Sequence, residues 1–339
     1  MRVGVVGTMV WDRIFSRDAR AEPVEEWGGI SYALAALQAA VPPDWRIAPI
    51  IKVGRDLRER AFDFLRTLPN LDVAAGVELV DEPNNRVELR YQDRERRCER
   101  LTGGVPAWTF DEIAPLLRNL DALYVNFISG FEMSLETARR LRLGFSGPIY
   151  TDLHSLMLGV DATGMRVPRP LAEWRAWLEC FDILQVNEDE LALLAHHWGD
   201  PWRFAAEIVG DELRLLVVTL GSRGAAYFAS PAFTGNPRDW RYDGLHMHKK
   251  LSTPGTTRSE KIPAPANPPV PATTTAIAPE AAEDPTGCGD VWGATFFVRL
   301  LLGDDVRTAM TEANRLAARN VQHRGATGLH QFLKGRIAT

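Results

Sequence analysis

The sequence predicts an α/β protein: a doubly wound, mostly parallel sheet flanked by helices, with a smaller group of strands outside it. Three observations lead there. Short runs of β-branched and aliphatic residues recur along the chain and alternate with segments of helical period, the pattern of β-α-β crossovers in a parallel sheet. Several of these runs end at a glycine or a polar residue, as strands do when their carboxyl ends face a crevice. The 339 residues, 45% of them hydrophobic, are enough to bury a large core, and they read as a single domain.

Taken in order, residues 3–6 form a β-branched run ending at Gly7, the first central strand. Trp27, Gly28 and Gly29 lead into an apolar helix beginning at Ile30. Residues 46–53 read as a strand and 55–68 as an amphipathic helix with Leu57, Ala61, Phe64 and Leu65 on its apolar face. Between 73 and 101 the period changes to two, with Val87, Leu89 and Tyr91 set against Arg86, Glu88 and Arg90; antiparallel strands outside the main sheet are expected. The charges of residues 94–100 fit a solvated edge. Residues 122–127, 149–153, 183–186 and 213–220 are further strands. The regularity then stops: 231–282, rich in Pro and Thr, reads as an insertion whose 253–279 part is extended. Helices are expected over 291–302 and 306–323.

Composition excludes several classes. A net charge of −5 argues against general nucleic-acid binding, which needs a basic face. No stretch approaches the roughly 20 apolar residues that span a bilayer. Cys98, Cys180 and Cys288 form no C-x-x-C pair and cannot all be paired, which suits a reducing cytoplasm and neither a disulfide framework nor a zinc site.

Chemistry concentrates in Asp284-Pro285-Thr286-Gly287-Cys288-Gly289-Asp290 and the apolar helix that follows. Two glycines permit a tight turn whose N–H groups, at the positive end of a helix dipole, favour a phosphate. A carboxylate is a poor phosphate holder but a suitable base for a hydroxyl attacking that phosphate, which is the role open to Asp290. Thr286 or Asp290 as a simple helix cap is the competing explanation. Glycine pairs at Gly28-Gly29 and at Gly221 and Gly224 are explained equally well by tight turns or by close approach of backbone to ligand. Asn187 with Glu190 three residues on forms a capping box, a role compatible with work on a metal. Asp152 and His154 follow one strand, Asp152 placed near substrate or metal-bound water and His154 as an ordinary loop histidine. The first turn, Gly4-Val5-Val6-Gly7-Thr8, lacks the G-x-G-x-x-G spacing of a dinucleotide site.

The 284–290 string resembles the signature of the ribokinase-like (PfkB) carbohydrate kinases, Asp-Thr-x-Gly-x-Gly-Asp, with Pro285 where threonine is usual. Other segments resemble that family in order along nearly the whole chain. The resemblance implies Asp290 as catalytic base and Gly287, Cys288 and Gly289 as the anion hole. It implies Asp12, Gly28 and Gly29 at the substrate, although Ala33 or Tyr32 stands where an asparagine is customary. Thr219, Gly221, Gly224, Thr286 and Asn314 are implied at the nucleotide, and Asn187 and Glu190 position Mg²⁺ through water. It further implies a lid built from strands within about 12–27 and 73–104, ATP and Mg²⁺ as cofactors, a monovalent cation in many members, and a homodimer joined through the lid. The expected function is ATP-dependent phosphorylation of a hydroxyl on a sugar or sugar derivative. A nucleoside kinase of the same fold and a non-catalytic sugar sensor on a kinase scaffold are the alternatives, separable by substrate-dependent ADP release and by whether Trp11 and Tyr32 stack on substrate.

Overall fold

The computed structural model describes residues 1–15, 22–91, 97–210, 213–231, 233, 236–240, 257–265 and 285–336. Most of the expected 231–282 insertion, Arg94 and Arg96 of the charged edge, and Asp284 of the signature string lie outside these residues.

The chain begins with β1 (Arg2–Val6), β2 (Met9–Phe15), β3 (Val24–Gly29) and α1 (Ile30–Ala40). It continues through β4 (Arg46–Gly54), α2 (Arg58–Arg66), β5 (Val77–Val80), β6 (Arg86–Tyr91) and β7 (Arg97–Thr102). Next come α3 (Phe110–Leu117), β8 (Ala122–Asn126), α4 (Leu135–Gly144), β9 (Ile149–Asp152), β10 (Leu158–Val160), β11 (Arg166–Pro168) and α5 (Trp174–Leu178). The remainder is β12 (Ile183–Asn187), α6 (Glu188–Leu194), α7 (Pro201–Ile208), β13 (Leu215–Thr219), β14 (Ala225–Ala229), β15 (Arg258–Ile262), α8 (Cys288–Leu301), α9 (Val306–Asn320) and α10 (Leu329–Leu333).

Nine strands form the central sheet in the order β15-β14-β13-β12-β9-β8-β1-β4-β5. Seven of them, β13 to β5, run parallel, and β14 and β15 close one edge antiparallel. Parallel strands are covered on both faces, which is why β1, β8, β12 and β13 read as almost unbroken apolar runs. Alternate residues serve opposite layers: Val5, Tyr124, Ile183 and Val217 pack with α1, α8 and α9, while Val6, Val125, Leu184 and Val218 pack with α3 to α7. Among the described residues no helix is long and apolar enough to cross a membrane.

A second, four-stranded sheet, β3-β2-β6-β7, stands outside the first; its β2–β6 pair is parallel and the others antiparallel. Its β7 edge meets the β10–β11 hairpin, Leu101 N–H donating to the Gly164 carbonyl at 2.9 Å. Arg166 ties the two layers together. Its buried guanidinium reaches Glu99 on β7 as well as Ser155 Oγ and the carbonyls of Ile128 and Ser129 in the strand-end loops.

Two expectations are corrected. Residues 77–80, placed by their alternation outside the main sheet, extend its edge as β5, parallel to β4 with Ile51 opposite Val77. An edge strand exposed on one side carries the same period-two pattern as a lid strand, so the pattern alone does not distinguish them. Residues 258–262, inside the expected irregular stretch, form β15; only Ile262 of this Arg-Ser-Glu-Lys-Ile edge strand is buried, so no apolar run announced it.

Candidate active site

Gly287 caps α8 in the left-handed region, at φ 75°. A Cβ there would fall 2.3 Å from two carbons of the Tyr32 ring, so the glycine is required both by conformation and by the close approach of α1. The turn delivers Asp290 to the first turn of α8, where Val291 N–H closes the helix onto the Gly287 carbonyl at 2.9 Å. Gly289 is exposed and Asp290 half-buried. The first N–H groups of a helix lack a carbonyl one turn back, and here they and the dipole point where an anion would be stabilised.

Beneath this turn three neighbouring strands carry polar residues, two of them at strand ends. Asn126 closes β8, fully buried, and its Nδ2 donates to Asp290 Oδ1 at 2.6 Å. Asp152, opposite it in register, closes β9. Gln185 on β12 donates from Nε2 to Asp152 Oδ2 at 2.7 Å and to the Gly289 carbonyl at 3.1 Å, and its Oε1 accepts from the Tyr150 hydroxyl. Gly293, one turn into α8, leaves the necessary room: a Cβ would lie 2.5 Å from Gln185 Oε1 and 2.7 Å from the Tyr150 oxygen.

Charge is crowded here. Burial, then the nearby Glu190 and Asp290, push the Asp152 carboxyl well above its usual range, against the opposing pull of His154. Burial would depress the His154 imidazole, but the hydrogen bond and charge of Glu190, with Asp152 and Glu99 behind it, raise it to about 9. His154 Nδ1 lies 2.9 Å from Glu190 Oε1, and its backbone takes a φ of 20° while its N–H reaches Asp152 Oδ1 at 3.2 Å. Burial also pushes the Tyr124 and Tyr150 hydroxyls well above the ordinary phenol range, reinforced at Tyr124 by Asp290 and at Tyr150 by Tyr124 and Asp152.

Asn187 and Glu190 make a capping box at the start of α6, Asn187 N–H to Glu190 Oε2 at 2.7 Å and Glu190 N–H to Asn187 Oδ1 at 2.9 Å. With His154 on Oε1, each Glu190 oxygen keeps lone-pair capacity for a metal-bound water. No group of three His, Cys, Asp or Glu side chains among the described residues is placed to hold a metal ion directly. A hard ion that retains its waters suits such a donor set.

On the lid, Asp12 is buried on β2, and Gly28 exists for it: a Cβ at Gly28 would fall 1.8 Å from Asp12 Oδ2. Gly29, at φ 58°, caps α1. Trp11 lies on the opposite face of β2, edge-on to Trp27 at 5.0 Å and beneath Arg60. Thr219 ends β13 beside Asn187 in register. Gly221, at φ 58°, has open space around it, whereas Gly224, at φ 94°, lets Ile262 pass close; a Cβ there would lie 2.2 Å from the Ile262 carbonyl oxygen. Thr286 is buried and its carbonyl accepts from Asn320 Nδ2 at 2.9 Å. Asn314 is also buried; its Oδ1 accepts from Trp292 Nε1 at 2.7 Å and its Nδ2 donates to the Ile262 and Pro263 carbonyls. Its amide joins α8, α9 and β15, leaving its position, not its hydrogen bonds, to shape any neighbouring site.

Sequence reasoning marked Asn126 as a strand-end residue without giving it a role, and passed over Gln185. The signal available was a polar residue inside an otherwise apolar strand, Ala-Leu-Tyr-Val-Asn and Ile-Leu-Gln-Val-Asn.

No protein-family profile and no curated protein matches the sequence. Solved structures do match over the whole chain. A pyrophosphate-dependent kinase in the ribokinase family superposes with a TM-score of 0.69 at 17% identity, covering 98% of this chain and 99% of that one. Ribokinase from Thermotoga maritima gives 0.66 at 17% over 99% of both chains. A nucleoside kinase from Burkholderia thailandensis, in complex with inosine, gives 0.66 at 18% over 99% and 96%. The fold of this chain, central sheet and lid together, is therefore the ribokinase fold.

Proposed function

We propose that the protein is a kinase that transfers a phosphoryl group from ATP to a hydroxyl of a sugar or sugar derivative. One observation carries the reading: the Asp290 carboxylate stands in the first turn of α8, directly after the left-handed Gly287 turn and bonded to the end of the central strand β8. That juxtaposition sets a proton acceptor beside a row of N–H groups suited to an anion. Asp290 takes the proton of the attacking hydroxyl, and the 287–289 turn stabilises the charge that builds on the transferring phosphoryl group. Asp12, held in the lid, orients the acceptor's hydroxyls. The nucleotide lies along Thr219, Gly221 and Gly224, with Thr286 and the Asn314 region as its further wall. Mg²⁺, when bound with ATP, neutralises phosphate charge; Asn187 and Glu190 would hold its waters.

A polyol acceptor fits better than a nucleoside, because Tyr32 is sealed beneath the Gly287 turn and Trp11 faces away from Asp12, so neither ring has a face turned to a base. The test is a coupled product-release screen over sugars, polyols, sugar phosphates and nucleosides, with ATP and with pyrophosphate as donor. Turnover of a sugar or polyol with ATP is expected, and Asp290→Asn should lower kcat by roughly 10²–10⁴ while donor binding persists. Full turnover in Asp290→Asn, or no acceptor-dependent release with either donor, would overturn the assignment.

A further inference from the structure

Asn126 lies 164 residues from Asp290 in sequence and touches it in space. Its position is unusual for a buried amide. It is fully enclosed at the end of β8, and of its two polar atoms only Nδ2 is well served, by the bond of 2.6 Å to Asp290 Oδ1. Asn126 Oδ1 makes no hydrogen bond of good geometry among the described residues, and the buried Tyr124 hydroxyl beside it has only the Asn126 amide to meet. Buried polar atoms in folded proteins are nearly always satisfied, and an amide that leaves one end unmet stabilises the core less than an apolar residue of its size. Apolar packing does not call for an asparagine here; its polar contacts to Asp290 and Tyr124 do. What asparagine supplies is an amide N–H aimed at one carboxylate oxygen from a buried central strand.

We infer that Asn126 is a positioning residue for Asp290: by holding Oδ1 it fixes the plane of the carboxylate that receives the proton of the acceptor hydroxyl. The role rests on the reading of Asp290 as the base. A charge-assisted bond of this length restricts rotation of the carboxyl group, and a base held in reacting geometry loses little entropy on the way to the transition state. Gln185 does the corresponding work on the main chain, tethering the Gly289 carbonyl to the middle of β12, so side chain and backbone of the same turn are anchored on the two strands that flank β9.

Two shape-preserving variants test this. Asn126→Leu keeps the branching, with somewhat more bulk, and removes the donor; Asn126→Asp keeps the shape and sets a carboxylate against Asp290. Both are expected to lower kcat at least tenfold, Asn126→Asp more than Asn126→Leu, with KM for donor and acceptor changed less than threefold. A residue that only fills space would leave kcat intact in Asn126→Leu or would move KM and stability together. A second measurement needs no turnover. In the ¹H–¹⁵N spectrum of the full chain, one Asn126 side-chain amide proton should resonate downfield, slowly exchanging, and move upfield in Asp290→Asn. If neither variant lowers kcat threefold, or if that resonance is the same in Asp290→Asn and wild type, the inference is wrong. Should no acceptor be turned over at all, the kinase reading fails while the amide resonance still decides whether Asn126 holds Asp290.

Discussion

Replacing Gly287 by alanine probes the turn on which the site depends. Two costs follow from the structure. The residue sits at φ 75°, where a side chain costs about 1–2 kcal/mol. The new methyl group would also lie 2.3 Å from the ring of Tyr32, which is buried between α1 and α8 and has little room to withdraw; overpacking of this kind costs about 1–3 kcal/mol. Together they amount to about 2–5 kcal/mol, a large part of the ~5–15 kcal/mol that stabilises a typical fold. If the turn yields instead, the N–H groups of 287–289 and the Asp290 carboxylate shift, and a displacement near 1 Å lowers turnover roughly 10²-fold. Chemical unfolding of wild type, Gly287→Ala, Tyr32→Ala and the double variant separates the two costs. Tyr32→Ala opens the space the methyl needs, so the pair should couple by about 1–3 kcal/mol, leaving the conformational cost behind. Gly287→Ala within about 0.5 kcal/mol of wild type and fully active, or a coupling energy near zero, would refute the packing argument.

Three further outcomes are expected. His154, raised from 6.5 to about 9 chiefly by Glu190 against the effect of burial, should titrate near that value by NMR. Since its folded pKa exceeds its unfolded one, the stability it contributes is complete below about pH 6.5 and is lost as pH rises through 9. Glu190→Gln should bring the imidazole back down and flatten that loss, and a wild-type His154 titrating at its ordinary value would contradict the ion pair. Arg166→Ala leaves Glu99 and two buried carbonyls without their guanidinium, a change of about 3–5 kcal/mol for a buried pair. Hydrogen exchange should accelerate in β6, β7 and the β10–β11 hairpin while β1 and β8 stay protected; uniform protection would show that the arginine does not join the layers. Gly293→Ala drives a methyl to within 2.5 Å of Gln185 Oε1 and should cost about 1–3 kcal/mol with a fall in kcat, measured by unfolding and by steady-state rates.

What the chain reveals by itself is what neighbours along it determine. The runs 3–6, 122–127 and 183–186 declare themselves as buried strands because parallel strands covered on both faces must be apolar throughout. The Gly287 turn, the start of α8 and the Asn187–Glu190 box are visible because a positive φ and a capping pair are satisfied within one helical turn. Tertiary structure alone decides the rest. That β5 and β15 are edges of the central sheet, that Tyr32 lies under Gly287, that Asn126 meets Asp290 and Gln185 meets Gly289 depends on which strands become neighbours. Such pairings link residues more than a hundred positions apart, as in the two hydrogen bonds to the α8 turn, and no local period or spacing encodes them. A single asparagine at a strand end looks the same in the chain whether it faces water or a carboxylate; only the order of β8, β9 and β12 beneath α8 gives it a partner.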